Sequence, residues 1–179
     1  MDNVLKDHRC STGEEAYSIA MAVCEAINGH KGGWNIQIVG SDIRREALQV
    51  AERGLYPQDS LHSVAHPLVQ EYFSRMGQHL LVKPRLRNLV TFSAMNLAHP
   101  AYIGRFDCIF CMGVLPRFST AQRIALVQRL HLYLEPGGYL FAGPGEKVPT
   151  IGVGFQRQLH AGYALNRKPL AAASASGRT

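Results

Sequence analysis

Hydrophobic and polar residues follow two different periods along the chain, and these periods predict helices separated by strands. Apolar residues recur with helical spacing in three segments, at 14–28, 43–54 and 119–134. Short and nearly continuous apolar runs predict strands in five further segments, at 34–40, 88–97, 105–115, 139–143 and 163–168. Since apolar strands that alternate with helices are typical of a parallel sheet covered on both faces, we predict an α/β fold.

Two stretches depart from this alternation. From 55 to 89 the periodicity weakens and prolines interrupt it, so we expect short helices with irregular or antiparallel segments there. The last stretch, PLAAASASGRT at 169–179, has low complexity, and we expect it to be a disordered tail. The predicted organisation is therefore one domain over residues 1–168, followed by that tail.

The composition is typical of a globular protein. Of the 179 residues, 46% are hydrophobic and 18% are charged, which is enough apolar content for a packed core. The formal net charge is +6, but the basic residues are scattered, so we predict no nucleic-acid partner. No apolar run approaches the ~18 residues that a membrane helix needs, and the first nine residues lack the apolar core of a signal peptide. We therefore expect a cytoplasmic protein without membrane insertion.

The cysteines are expected to be free thiols, because stable disulfides belong mainly to secreted proteins. Cys108 and Cys111 form a CxxC pair, yet they fall in a predicted strand, where residues three apart point to opposite faces. This geometry argues against a shared metal ion, and we predict no metal site.

Small and polar residues follow the predicted strands, and ligands of parallel sheets bind at the carboxyl ends of the strands. Four such stretches are candidates for a binding site: CSTGEE at 10–15, Ser41-Asp42, Asn96-Leu97 and Met112-Gly113. Because these strand ends meet at one edge of a parallel sheet, we expect the four stretches to act on a common ligand.

The chemistry of these residues favours a ligand that carries a positive group. Gly13 lets a ligand approach the backbone amides at a helix start. Glu14 and Glu15 would repel a pyrophosphate but suit an amino group or a sulfonium. A carboxylate such as Asp42, placed after the second strand, can hold both hydroxyls of a ribose. The set favours S-adenosylmethionine over a nicotinamide dinucleotide.

Each of these residues also has a purely structural interpretation. Glu14 and Glu15 lie in the first turn of a predicted helix, where acidic side chains favour the helix dipole. Asp42 can serve as the N-cap of the following helix, and Asn96 can be a turn residue. The sequence leaves both interpretations open.

Seven stretches together resemble the catalytic domain of the CheR family, the S-adenosylmethionine-dependent methyltransferases of chemotaxis receptors. They occur in the family's order: CSTGEEAYSIAM, IVGSDI, YFSRMG, FSAMNL, GRFDCIFCMGVLPRF, AQRIALVQRL and LEPGGYLFAGPGE. The resemblance implies a Rossmann-like methyltransferase fold with a seven-stranded sheet whose last strand is antiparallel. It also implies a small β-subdomain inserted at about 57–89, which docks a short receptor peptide in some members.

The resemblance further implies a reaction and a set of site residues. The reaction moves a methyl group from S-adenosylmethionine to a glutamate side-chain carboxylate of a chemotaxis receptor. Asn96 and Leu97 are expected beside the adenine, and either Glu14 or Glu15 is expected to face the cofactor. The positions that carry over as cofactor-binding are Thr12, Gly13, Glu14, Glu15, Asp42, Asn96, Leu97, Met112 and Gly113.

The chain departs from the family after its fourth strand. The family reads FCRNVLIYF there, whereas this chain reads FCMGVLPRF at 110–118, so that Met112 and Gly113 replace an Arg-Asn pair. Arg117 stands where the family has its active-site tyrosine. We take Arg117 as the candidate catalytic residue, because a guanidinium can pair with a carboxylate through two hydrogen bonds. The family's closing GHSE is GPGE at 143–146.

The N-terminal residues depart further. The family has a helical N-terminal domain, whereas nine residues precede Cys10 here. These nine should contain the first strand, but the run from Lys6 to Arg9 is polar or charged and unsuited to a strand buried on both faces. We expect either a truncated chain or a first strand that is lost.

Two functions follow from these observations. The first is a carboxyl methyltransferase of chemotaxis receptors. The alternative is a degenerate member that binds S-adenosylmethionine or its demethylated product without catalysis, or that acts as an interaction module. In both cases a chemotaxis receptor or a related signalling protein is the expected partner, and a monomer is the expected state.

Overall fold

A computed structural model of the chain describes residues 2–7, 11–30, 32–99, 104–160 and 163–170. For 2–7 and for residue 163 it describes the backbone alone. The chain divides into two units, Met1–His99 and Pro100–Thr179. From residue 171 onward, the predicted disordered tail lies outside the described residues.

The first unit alternates strands and helices in its amino-terminal part and again at its end. Its elements are β1 (Asp2–Asp7), α1 (Glu14–Ile27), β2 (Asn35–Asp42), α2 (Arg45–Arg53), β3 (Leu55–Pro57), a 3₁₀ helix (Gln58–Leu61), α3 (His66–Tyr72), β4 (Phe73–Met76), β5 (His79–Val82), α4 (Pro84–Arg87) and β6 (Val90–Ala94). The predicted helices at 14–28 and 43–54 and the strand within 88–97 are confirmed.

Three strands of this unit form a parallel sheet in the order β6–β2–β1. The expectation of a lost first strand is wrong, because β1 pairs with β2 along its whole length, from Asp2 to Asp7. Backbone hydrogen bonds of the ladder satisfy the N–H and C=O groups whatever the polarity of the side chains. Of the polar run at 6–9, Lys6 and Asp7 belong to β1, and the other two residues lie outside the described residues.

Helices α1 and α2 bury their apolar faces in the core of this unit. Ala16 of α1 and Leu48 of α2 form a buried cluster, against which Val90 and Phe92 of β6 pack. Gly54 ends α2 in the left-handed conformation, with φ of 60°. This cluster therefore packs the first turn of α1 against α2 and β6.

The segment between α2 and β6 folds into a small antiparallel sheet, in the order β3–β5–β4. Tyr56 of β3 pairs with Leu80 of β5, and both side chains are buried. The buried hydroxyl of Tyr72, at the end of α3, donates to Glu25 Oε1 of α1 at 2.6 Å. The short helices and antiparallel segments predicted for 55–89 are thus observed.

The second unit starts with a strand–helix–strand segment and ends with a hairpin. Its elements are β7 (Phe106–Cys111), a 3₁₀ helix (Leu115–Arg117), α5 (Thr120–Tyr133), β8 (Leu134–Ala142), β9 (Gln156–His160) and β10 (Tyr163–Arg167). Ser119 caps α5 in a capping box with Gln122.

The four strands of this unit are ordered β7–β8–β10–β9. β7 and β8 are parallel, whereas β10 runs antiparallel to both β8 and β9, so the antiparallel last strand is confirmed. β9 was not predicted, because its residues QRQLH are all exposed and include no apolar run.

The residues Pro136, Gly137 and Gly138, which are typical of a turn, lie inside β8. Between the pairs Phe106–Leu134 and Cys108–Tyr139, β7 advances two residues while β8 advances five. The extra residues bulge out of the ladder, with Gly137 at φ of 85°. The glycine-rich sequence therefore marks an irregularity within the strand.

Two features that the sequence did not predict, a membrane-spanning helix and a metal site, can be checked in the described residues only. Among these residues, no helix has the length and apolar character that crossing a membrane requires, and no cluster of His, Cys, Asp or Glu is arranged to hold a metal ion. The three cysteines that the structure describes, Cys24, Cys108 and Cys111, are free thiols. Burial and the neighbouring Asp107 raise the pKa of Cys108 to about 11, which makes it an unreactive thiol.

Candidate functional site

The turn before α1 is built around a glycine. Gly13 is the N-cap of α1 and has φ of 96°, a conformation that side-chain-bearing residues rarely adopt. A Cβ atom at this position would lie 2.7 Å from the hydroxyl oxygen of Tyr56 and 2.8 Å from Cβ of Ala51. The backbone of the turn is therefore packed closely against α2 and β3, and no larger residue fits.

The two acidic residues of this turn differ in their surroundings. Glu14 is exposed, and its carboxylate accepts a hydrogen bond from Thr12 Oγ1, 2.6 and 2.7 Å from its two oxygens. Glu15 is half-buried. Both belong to the first turn of α1, where a negative charge is favourable. Thr12 and Glu14 thus stabilise the start of the helix.

Asp42 lies at the carboxyl end of β2, and its side chain is 6% exposed. Its Oδ1 accepts hydrogen bonds from the backbone N–H of Arg44 at 3.0 Å and from Arg44 Nε at 3.2 Å. Its Oδ2 accepts from Arg44 Nη2 at 3.3 Å. The N-cap of α2 is Arg44 itself, so the interpretation of Asp42 as that N-cap is wrong.

The ion pair sets the charge state of Asp42. Burial by itself raises the pKa of this carboxyl, but the hydrogen bonds and the positive charge of Arg44 outweigh burial and lower the pKa below its usual value. Asp42 is therefore a carboxylate at neutral pH, which a ribose-binding residue needs to be.

Asn96 and Leu97 follow β6, the strand next to β2. Asn96 is exposed, and its Oδ1 accepts from the backbone N–H of Ala98 at 2.9 Å, which is the turn geometry considered for it. The backbone N–H of Met95 donates to the carbonyl of Asp42 at 3.0 Å. The segment that carries Asn96 is thus bound directly to the residue at the end of β2.

Three of the predicted stretches are therefore brought together within the first unit. Arg44 Nη2, which binds Asp42, also donates to Ser11 Oγ at 3.0 Å. Direct hydrogen bonds thus connect the turn at 11–13, Asp42 and the Asn96 segment. Sequence reasoning did not identify Arg44 as part of this site.

In the second unit, the loop after β7 is held by a glutamate that the prediction missed. Glu146 Oε2 accepts from the backbone N–H of Gly143 at 2.5 Å and of Gly113 at 3.2 Å. Its Oε1 is buried and has no hydrogen-bond partner among the described residues. The signal was available, because Glu146 ends the GPGE stretch that matches the family's GHSE.

Met112, Gly113 and Arg117 lie in this same loop. Met112 is half-buried, whereas Gly113 is exposed with φ of 64°. Arg117 ends the 3₁₀ helix that begins at Leu115, and its exposed side chain has no hydrogen-bond or ion-pair partner among the described residues. Arg117 is thus available for a negatively charged group.

Comparison with known proteins gives a family match over most of the chain. Residues 7–159 match the family model described as CheR methyltransferase, SAM binding domain. The chemotaxis protein methyltransferase of Salmonella typhimurium is 35% identical over 163 residues, covering 88% of this chain and 56% of that protein. Chemotaxis protein methyltransferase Cher2 of Pseudomonas putida is 39% identical over 147 residues, covering 78% of this chain and 52% of that protein. The chain spans about half the length of these curated relatives.

One solved structure bears on the fold. The glycopeptide N-methyltransferase MtfA, complexed with (S)-adenosyl-L-methionine, matches with a TM-score of 0.51 and 14% identity, over 94% of this chain and 60% of that chain. At this identity the likeness concerns the fold alone. With the family match, it confirms the Rossmann-like methyltransferase fold predicted from the sequence.

Proposed function

Because the chain belongs to the CheR methyltransferase family, whose matched domain binds S-adenosylmethionine, we propose that its first unit binds this cofactor at the turn before α1 and at the ends of β2 and β6. The observation that carries this proposal is Asp42. It is a buried carboxylate at the end of β2, and the side chain of Arg44 joins it to the turn. A carboxylate in this place suits the two hydroxyls of a ribose.

The other residues of the first unit take separate roles in this proposal. Gly13 keeps the start of α1 free of side-chain atoms, so that a ligand can approach the backbone there. Thr12 and Glu14 stabilise the turn, and we assign the half-buried Glu15 to the positive groups of the cofactor. Asn96 and Leu97 are assigned to the adenine, while Met112 and Gly113 of the second unit remain predictions from the sequence.

The proposed reaction is the methylation of a glutamate side-chain carboxylate in a chemotaxis receptor. When bound, S-adenosylmethionine supplies an activated methyl group: a carboxylate oxygen of the acceptor bonds to the methyl carbon as the sulfur–carbon bond breaks, giving a methyl ester and S-adenosylhomocysteine. The chain contributes placement of the acceptor. Arg117 is the proposed residue for it, because its exposed guanidinium can pair with a carboxylate.

A non-catalytic cofactor-binding protein is the second candidate. Met112 and Gly113 offer no side-chain hydrogen-bond donor where the family has Arg and Asn, and the amide of Gly113 already donates to Glu146. Cofactor binding without methyl transfer would support this candidate. A cytoplasmic location, a monomeric state and a receptor or related signalling protein as partner remain predictions.

Calorimetric titration of the full chain with S-adenosylmethionine and S-adenosylhomocysteine tests cofactor binding. Asp42→Ala and Asp42→Asn should weaken binding by about 10- to 100-fold, because a hydrogen bond to a charged group contributes about 1.5–3 kcal/mol. Asp59→Ala, at an exposed acid of the 3₁₀ helix Gln58–Leu61, is the matched control and should bind like the wild type. Absence of binding by a folded wild type would overturn the proposal.

Methyl transfer from radiolabelled S-adenosylmethionine to receptor fragments then separates the two candidates. Transfer that Arg117→Ala reduces without weakening cofactor binding supports the enzyme. Tight binding without any transfer supports the non-catalytic protein.

A further inference from the structure

We propose that Tyr56 is a positioning residue of the cofactor site, through which the small β3–β5–β4 sheet fixes the turn before α1. This inference rests on the proposed function, since it assigns a role in binding S-adenosylmethionine. Tyr56 lies in the small sheet rather than in the parallel sheet, and it belongs to none of the stretches that the sequence marked as cofactor-binding.

The first observation is a hydrogen bond between the small sheet and the turn. The hydroxyl of Tyr56 donates to the backbone carbonyl of Thr12 at 2.7 Å. Tyr56 is 5% exposed, so water does not readily replace this donor. The bond orients the peptide unit between Thr12 and Gly13, which includes the amide that the proposed ligand would approach.

The second observation is close packing on the same side of the turn. The Tyr56 hydroxyl oxygen would lie 2.7 Å from a Cβ atom at Gly13. The hydroxyl therefore bounds the turn at both residues of that peptide unit: it is hydrogen-bonded to Thr12, and it occupies the space that a side chain at Gly13 would need. Any shift of Tyr56 must move this peptide unit or break the hydrogen bond to the Thr12 carbonyl.

The third observation is that Tyr56 is itself fixed by the small sheet. It pairs with Leu80 of β5, and the flanking backbone N–H groups of Val82 and Gln58 donate to Gly54 and Gln78. Its ring meets that of Tyr17 edge to face, with centroids 6.2 Å apart. The position of the hydroxyl is therefore set by β3 and β5, and a change in that sheet reaches the turn through one side chain.

The chain offers a matched control in Tyr17. Its hydroxyl also donates to a backbone carbonyl, that of Ala51 at 3.0 Å, but this carbonyl belongs to α2. Tyr56→Phe and Tyr17→Phe each remove one buried hydroxyl from neighbouring positions in the same core. Only Tyr56→Phe removes a hydrogen bond whose acceptor lies in the turn before α1.

The test measures binding of S-adenosylhomocysteine by calorimetry, thermal unfolding, and hydrogen exchange of the Gly13 and Glu14 amides without ligand. We expect Tyr56→Phe to raise the dissociation constant about three- to tenfold and to speed exchange at these two amides. Tyr17→Phe should lower the unfolding temperature to a similar extent, but it should leave ligand binding and the exchange of these two amides unchanged.

The outcomes distinguish this inference from the proposed function. Equal binding and equal amide exchange in Tyr56→Phe and the wild type would overturn the role of Tyr56 while cofactor binding stands. Equal losses in the two variants would also overturn it, because they would show a general loss of stability. A folded wild type that does not bind would overturn the proposed function, and with it any role of Tyr56 in cofactor binding.

Discussion

Two carboxylates, Asp42 at the end of β2 in the first unit and Glu146 in the loop after β8 in the second, are held in different ways. Both oxygens of Asp42 accept hydrogen bonds from Arg44, whose side chain is itself tied to the turn before α1. Glu146 uses one oxygen for two backbone amides and keeps the other buried without a partner among the described residues. The hydrogen bonds of Arg44 therefore connect the charge of Asp42 to the turn before α1. Glu146 fixes a loop and leaves hydrogen-bonding capacity unused.

The largest effect is expected from Gly13→Ala, which disturbs the packing of the turn before α1. Gly13→Ala places a Cβ atom 2.7 Å from the Tyr56 hydroxyl oxygen, in a backbone with φ of 96°. The strained conformation costs about 1–2 kcal/mol, and the close contact with Tyr56 and Ala51 adds about 1–3 kcal/mol. Urea unfolding should show a loss of about 2–5 kcal/mol, together with loss of cofactor binding.

Gly29→Ala is the matched control for this prediction. Gly29 also has a positive φ, of 84°, but a Cβ atom there would meet nothing within 4 Å. It should therefore show the conformational cost without the cost of the contact. If the two variants lose equal stability, the packing of the turn against Tyr56 and Ala51 contributes nothing.

A smaller effect is expected at Glu146. Glu146→Ala removes the acceptor of the Gly113 and Gly143 amides and should cost about 1–3 kcal/mol. Glu146→Gln should retain most of the stability, because an amide carbonyl can accept both bonds. Unfolding of the two variants by urea measures this difference, and an alanine variant as stable as the wild type would contradict the holding role of Glu146.

The sequence predicted the elements of the fold better than the contacts within the site. Apolar periodicity identified α1, α2 and α5, since each buries one apolar face. It failed for β9, whose five residues are all exposed, and one of the two explanations considered for the polar run at 6–9, a lost first strand, is wrong. Those two strands depend on backbone pairing, which leaves no trace in the pattern of side chains.

Within the site, the sequence identified residues by chemical type at strand ends, which is why Asp42 was found. Arg44 and Tyr56 were missed, because each contacts a residue distant in sequence. Glu146 was missed although it ends the GPGE stretch that matches the family's GHSE. Tyr56 contacts Thr12 across 44 positions, and Glu146 contacts Gly113 across 33. Composition and spacing carry no information about such pairs.

The smallest effect is expected from removing Arg44, and it should depend on pH. Arg44 lowers the pKa of Asp42 in the folded chain below the value near 3.9 of an unfolded aspartate. A lowered pKa stabilises the fold above about pH 4, and this stabilisation is lost as the pH falls through the folded pKa. Arg44→Ala should cost under about 1 kcal/mol at pH 7, because the arginine side chain is 57% exposed.

Unfolding free energies at several pH values between 3 and 7 measure this dependence, and a carbon-13 titration of Asp42 measures its pKa directly. The difference between the wild type and Arg44→Ala should shrink below pH 4, and the pKa of Asp42 should rise in the variant. Arg45→Ala, at the neighbouring exposed arginine, controls for the loss of one positive charge. A difference that stays constant with pH, or that Arg45→Ala reproduces, would contradict the role of Arg44 in lowering the pKa of Asp42.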